Sequence, residues 1–85
     1  MRLNLKYFAS LRETLGPGGT LDWQPEGEPT AAALRAWLRT QSSAHEQALA
    51  PGRAVRVAVD QALAGEATPL RDGAEVAFFP PVTGG

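Results

Sequence analysis

The chain has 85 residues, 44% of them hydrophobic and 20% charged, with a formal net charge of −1. That describes one small folded domain with a single core, and it excludes a disordered chain. A near-neutral balance without a basic cluster argues against nucleic acid as the main partner, and the absence of cysteine removes disulfides, thiolate nucleophiles and cysteine metal sites together.

No apolar run approaches the roughly 20 residues of a membrane helix. The opening MRLNLKYF has a strand pattern and not that of a signal peptide, so the expected compartment is the cytoplasm. In Arg2 to Phe8, Leu3, Leu5 and Tyr7 share one face and Asn4, Lys6 and Phe8 the other. Period two predicts a half-buried strand. Ser10 and Glu13 in SLRE have capping-box spacing, with Leu11 and Leu15 on one face of the short helix that follows. Gly16, Pro17, Gly18 and Gly19 should stop it.

Thr20 to Trp23 reads as a second short strand. Pro25, Gly27 and Pro29 stiffen the connection to Thr30, an N-cap for TAAALRAWLRTQ. Leu34, Trp37 and Leu38 form its core stripe. Arg35 and Arg39, one turn apart, read as a solvated face. Residues 44–49 add a helical turn. His45, the lone histidine, reads as a surface residue, since no second metal ligand lies at a useful spacing. Ala54 to Val59 gives a third strand with Val55, Val57 and Val59 on one face. Asp60-Gln61 is a turn, Ala62-Leu63 a short returning strand and Asp72-Gly73 another turn. Glu75 to Phe79 is the last strand, with Val76 and Phe78 inward. The expected class is α+β: one mixed sheet with the principal helix across one face and the first strand able to pair with the last.

In that register Phe8 and Phe79 both point away from the helix, and Leu63 can extend the same patch. Two readings stand. The patch docks another protein, or Phe8 is tucked under a loop where its strand bends into the helix.

The chain ends FFPPVTGG. Pro80 and Pro81 cannot donate to a ladder, so they end the last strand and favour an extended exit. Residues 80–85 reach about 20 Å at most. Gly84 and Gly85 make the end narrow enough for a tunnel and leave the carboxylate without a steric shield.

FFPPVTGG preceded by DGAEVAFF resembles the MoaD family of sulfur carriers, in the ThiS/MoaD superfamily, as do YFASLRE and the helix opening TAAALRAWL. The resemblance covers essentially the whole chain. It implies a β-grasp (ubiquitin-like) domain over 1–85, with 80–85 a flexible tail. It further implies a non-catalytic subunit of molybdopterin synthase, without a complete active site, metal or cofactor of its own. An E1-like, MoeB-type enzyme would use ATP to adenylate Gly85, and a sulfur donor protein would convert the acyl-AMP to a thiocarboxylate. The tail of Pro80, Pro81, Val82, Thr83 and Gly84 would then enter a MoaE-type large subunit, in a heterotetramer, and give sulfur to cyclic pyranopterin monophosphate. Phe8, Leu63 and Phe79 match the family's hydrophobic contact positions, and Arg12 matches a basic one. Asp60 stands where the family often has Asn. Alternatives are a ThiS-like carrier for thiazole or thiolated-tRNA synthesis, or a ubiquitin-like protein modifier.

Overall fold

The computed structural model describes residues 1–81. Strand β1 (Arg2–Tyr7) buries Leu3, Leu5 and Tyr7 and exposes the residues between them, as its alternation predicts. It runs into helix α1 (Ala9–Leu15), then β2 (Gly18–Asp22), α2 (Ala31–Leu38), α3 (Ser43–Ala48), β3 (Arg56–Val59), β4 (Ala62–Ala64) and β5 (Glu75–Phe79). The five strands form one sheet in the order β2-β1-β5-β3-β4. β1 and β5 pair in parallel at its centre, Leu5 opposite Val76 and Tyr7 opposite Phe78. The other pairs are antiparallel. This is the α+β, β-grasp arrangement expected.

One face of the sheet carries the core. Leu3, Leu5, Tyr7, Val57, Val76 and Phe78 pack with Leu11, Leu34, Leu38 and Leu49 from the helical side in a single cluster. Burying each of the larger aliphatic side chains contributes about 1.5–3 kcal/mol. Helix α2 begins where expected: the Thr30 hydroxyl accepts from the Ala33 N–H at 3.1 Å. Asp60 and Gln61 take φ of 50° and 68°, the left-handed pair of a tight hairpin. Asp60 also accepts the Glu75 N–H at 3.0 Å through its carboxylate. In this turn a carboxylate therefore serves where Asn would.

Three expectations about where elements begin are corrected. Ser10 and Glu13 form no capping box: Phe8 is the N-cap of α1, without a side-chain cap. The Phe8 N–H bonds the Phe78 carbonyl at 3.2 Å, and the Phe8 carbonyl accepts from Leu11 and Arg12. The sheet thus holds Phe8 in place and the helix turns directly off it, one residue before a Ser10 cap could act. The second strand starts at Gly18 rather than Thr20. Gly18 has φ +99, and a Cβ there would collide with the Leu5 carbonyl. Glycine at this point lets β2 lie against β1. The third strand is shorter than expected, beginning at Arg56 rather than Ala54.

Arg35 is no solvated residue. It is 9% exposed. Its Nε donates to the Leu49 carbonyl at 2.8 Å, and its Nη2 to the carbonyls of Ala50 (2.7 Å) and Arg53 (3.3 Å). Its Nη1 meets Glu66 Oε1 at 2.7 Å. One guanidinium therefore ties α2 to the α3–β3 connection and to the segment after β4. Buried carbonyls that fail to find donors are costly, and these find theirs in a rigid fork.

Two stability measurements by chemical denaturation check these points. Gly18→Ala should lose about 2 kcal/mol or more from backbone strain and the clash with Leu5. Gly27→Ala, where a Cβ meets nothing within 4 Å, should stay within about 0.5 kcal/mol of the parent. Arg35→Met should cost about 2–4 kcal/mol, because it leaves the buried Leu49 carbonyl unpaired and removes a donor from the part-buried carbonyls of Ala50 and Arg53, and Arg35→Lys should recover part of the loss.

Candidate functional site

The second face of the sheet is where the sequence places its candidate residues. Direct cross-strand partners share a face. Lys6 lies opposite Ala77, Ala77 opposite Ala58, and Ala58 opposite Leu63. The next rung sets Phe79 opposite Arg56. The inward neighbours Val57, Val76 and Phe78 belong to the core, so Phe79, Ala77, Ala58 and Leu63 face away from it. Leu63 is 71% exposed and Phe8 44%. Phe79 is half-buried and Ala77 buried, although both belong to this outer face. Ala77 is small and sits between strands on both sides, so its neighbours cover it.

Phe8 is extended, with φ −126 and ψ 159, and follows Tyr7 in the ladder against β5. Phe8 and Phe79 therefore end adjacent strands at the same edge of the sheet. Phe8 is not tucked under a loop; its exposure favours the docking reading over the alternative. Arg12 is exposed on α1, one helical turn beyond Phe8.

The charged surroundings were partly missed in the sequence. Arg56 stands beside Phe79, and Lys6 flanks Ala77 while pairing with Glu75 at 2.9 Å. Alternation through Arg56-Val57 carries that signal, since Arg56 must lie opposite the core-facing valine. At the other end of β1, the exposed Arg2 guanidinium is held further in its charged form, chiefly by the hydrogen bond it donates to the Asp22 carboxylate. Tyr7, on the inner face, stacks on Phe78 at 6.2 Å between ring centroids. Burial pushes its phenol up to about 12. His45 meets the edge of Tyr7, and its Nδ1 lies 2.7 Å from the Ser42 hydroxyl. Among the described residues no group of three or more His, Asp or Glu could hold a metal ion, and no helix is long and apolar enough to cross a membrane.

β5 ends at Phe79, and Pro80 and Pro81 lie outside the ladder, as expected of residues without an N–H. Val82, Thr83, Gly84 and Gly85 fall outside the described residues. The outer face and the residues that follow the last strand are thus contiguous: one peptide bond separates Phe79 from Pro80.

Comparison with known proteins agrees with this geometry. The model of the ThiS family matches residues 5–85. The molybdopterin synthase sulfur carrier subunit of Escherichia coli is 42% identical, over 98% of this chain and 99% of the relative. That of Haemophilus influenzae is 38% identical, over 98% and 99%. Among solved structures, the small archaeal modifier protein SAMP1 of Haloferax volcanii superposes with a TM-score of 0.75 at 26% identity, over 100% of both chains. Matched along nearly its whole length by the family model and by two relatives, the chain belongs to the ThiS family, the ThiS/MoaD group of small ubiquitin-like proteins.

Proposed function

We propose that this protein is the sulfur carrier subunit of a molybdopterin synthase. The observation that carries the reading is its 42% identity to such a subunit across nearly both chains. The outer face of Phe8, Leu63 and Phe79, continuous with the Pro80-Pro81 exit, supports it.

The chemistry follows from the terminus. A carboxylate is a poor electrophile. An activating enzyme of the MoeB type would let a Gly85 carboxylate oxygen attack the α-phosphorus of ATP, releasing pyrophosphate and leaving an acyl-adenylate. The terminal sulfur of a donor protein's persulfide then displaces AMP to give an acyl disulfide, and a thiolate attacks the donor-side sulfur, breaking the S–S bond to release the Gly85 thiocarboxylate and leaving a disulfide on the donor side. Without cysteine, the chain has no thiol to carry sulfur, so the C-terminus is the atom position available for it. Gly84 and Gly85 add no side-chain width, and the segment from Pro80 spans about 20 Å when extended. That suits delivery into an active site belonging to a large subunit of the MoaE type, where sulfur passes to cyclic pyranopterin monophosphate and the carboxylate returns.

Docking rests on the outer face. Phe8 and Leu63 expose apolar surface that a partner can take from water. Arg56, opposite Phe79, and the exposed Arg12, one helical turn past Phe8, would supply polar contacts. The similarity to SAMP1 favours a second reading, a protein modifier that uses the same activated diglycine but ends in an isopeptide bond to lysine.

Intact mass after incubation with ATP, a MoeB-type enzyme and a sulfur source should show one oxygen exchanged for sulfur at the C-terminus. An unchanged mass with active enzyme sinks the carrier reading, and mass-shifted conjugates on other proteins favour the modifier. Removing Gly85 should abolish sulfur transfer while leaving the unfolding midpoint unchanged, because the core is built from residues upstream of Pro80.

Phe79→Asp should weaken large-subunit binding by about 2 kcal/mol or more, roughly 30-fold in Kd, while costing the isolated domain less. Titration calorimetry beside denaturation separates the two. Unchanged affinity would place the interface elsewhere.

A further inference from the structure

We propose that the groove between α1 and α3, at the base of the tail, is a resting dock for the chain's own C-terminal carboxylate. The groove has a volume of about 320 Å³ and is lined by Ser10 and Thr14 of α1, Gln47 of α3, and Arg53, over an apolar floor that includes Leu11 and Ala48. Its polar groups suit an anion. Two hydroxyls, a carboxamide and a guanidinium can all donate, and no carboxylate lines the groove. Among the described residues Arg53 has no ion-pair partner.

The backbone at Arg53 is nonetheless fixed. Its N–H donates to the Ala50 carbonyl at 2.9 Å, and its own carbonyl accepts from the buried Arg35 at 3.3 Å. The clamp that holds the fold therefore also presents the free guanidinium.

The sheet register brings the tail to this place. β3 and β5 are antiparallel, with Arg56 opposite Phe79. Pro80 and Pro81 therefore leave from the end of the sheet at which the segment of Arg53, three residues before Arg56, enters β3. On the other flank, α1 turns directly off Phe8, whose N–H is bonded to the Phe78 carbonyl. The chain thus leaves the sheet between the start of α1 and the segment that carries Arg53, each of which supplies residues to the groove. Residues 82–85 reach about 14 Å from Pro81, enough to return the carboxylate to Arg53. A tethered group meets its site at an effective concentration on the order of millimolar, so an ion pair too weak to hold a free anion can hold this one. Being solvent-exposed, the pair remains weak, and a partner that takes the tail displaces it.

The test compares the full chain with the same chain bearing a C-terminal carboxamide, by 15N NMR at low salt. Loss of the terminal charge should shift the side-chain N–H signals of Arg53 and Gln47 and the amides of Ser10 and Thr14. In Arg53→Gln, amidation should leave Ser10 and Thr14 unmoved. Resonances of all four residues unchanged by amidation of the parent would overturn the proposal, as would shifts that persist in Arg53→Gln. A second arm rests on the sulfur-carrier reading: Arg53→Gln should raise kcat/KM for adenylation about two- to five-fold, because the free tail is more abundant. Equal rates for an enzyme that does activate the parent would overturn the dock as a brake. Failure to activate either chain would count against the sulfur-carrier reading and leave the NMR outcome to decide the dock.

Discussion

The pairing of the first strand with the last is the constraint on which the rest of the molecule depends. β1 and β5 are parallel and central, so no hairpin can join them and nearly the whole chain lies between them. Their inward residues, Leu3, Leu5 and Tyr7 against Val76 and Phe78, form the middle of the core. Because the pairing is parallel, both strands finish at the same edge of the sheet. One finish turns into α1 and the other releases the tail. Phe8 and Phe79, the residues at those two finishes, therefore become neighbours through topology, although 70 positions separate them in the sequence.

The helical side must then be closed over a small core, and apolar packing does part of that work while Arg35 does the rest. The connection from α3 to β3 runs over the rim of the core without regular structure, and its carbonyls at Leu49, Ala50 and Arg53 need donors. A single guanidinium reaches all three, joined at Ala50 by the Arg53 N–H. An aliphatic residue could fill the same volume but not satisfy those oxygens. The outer face has no such requirement, and Phe8 and Leu63 keep apolar surface exposed there.

Much of this architecture was legible because the relevant signals are local. The alternation of β1, the Thr30 cap and the Asp60-Gln61 turn each depend on a few adjacent residues, and each stands in the structure where the sequence puts it. What was not legible depends on partners far along the chain. Arg35 looks like a surface residue until carbonyls 14 and 15 positions away close over it. Gly18 looks like a helix stop, yet its place in β2 follows from the approach of the Leu5 carbonyl. Ser10 and Glu13 have the spacing of a capping box, but the β5 ladder reaches Phe8 first and starts the helix there. Of the candidate site, Phe8, Leu63 and Phe79 were legible through side-chain parity. Arg56 was less legible, because the valines that alternate with it carry the stronger signal and its neighbour Phe79 comes from a distant strand.

Parity also explains why the tail begins where it does. Phe78 must be inward, stacked on Tyr7, so Phe79 must be outward. Proline at 80 ends the ladder on the next residue, before a further inward side chain would be required. One more strand residue would demand another core contact at the rim, and would carry the exit away from Phe79. One fewer would leave Phe79 outside the ladder that aims it. The strand therefore stops at the length that completes the core and leaves Phe79 directly joined to Pro80. Under the docking proposal made above, a partner that grips the outer face would hold Phe79, and the segment proposed to enter its active site would start one peptide bond later. Recognition and delivery would then be linked through a rigid strand rather than through a separate linker, reducing the freedom lost when the tail is threaded.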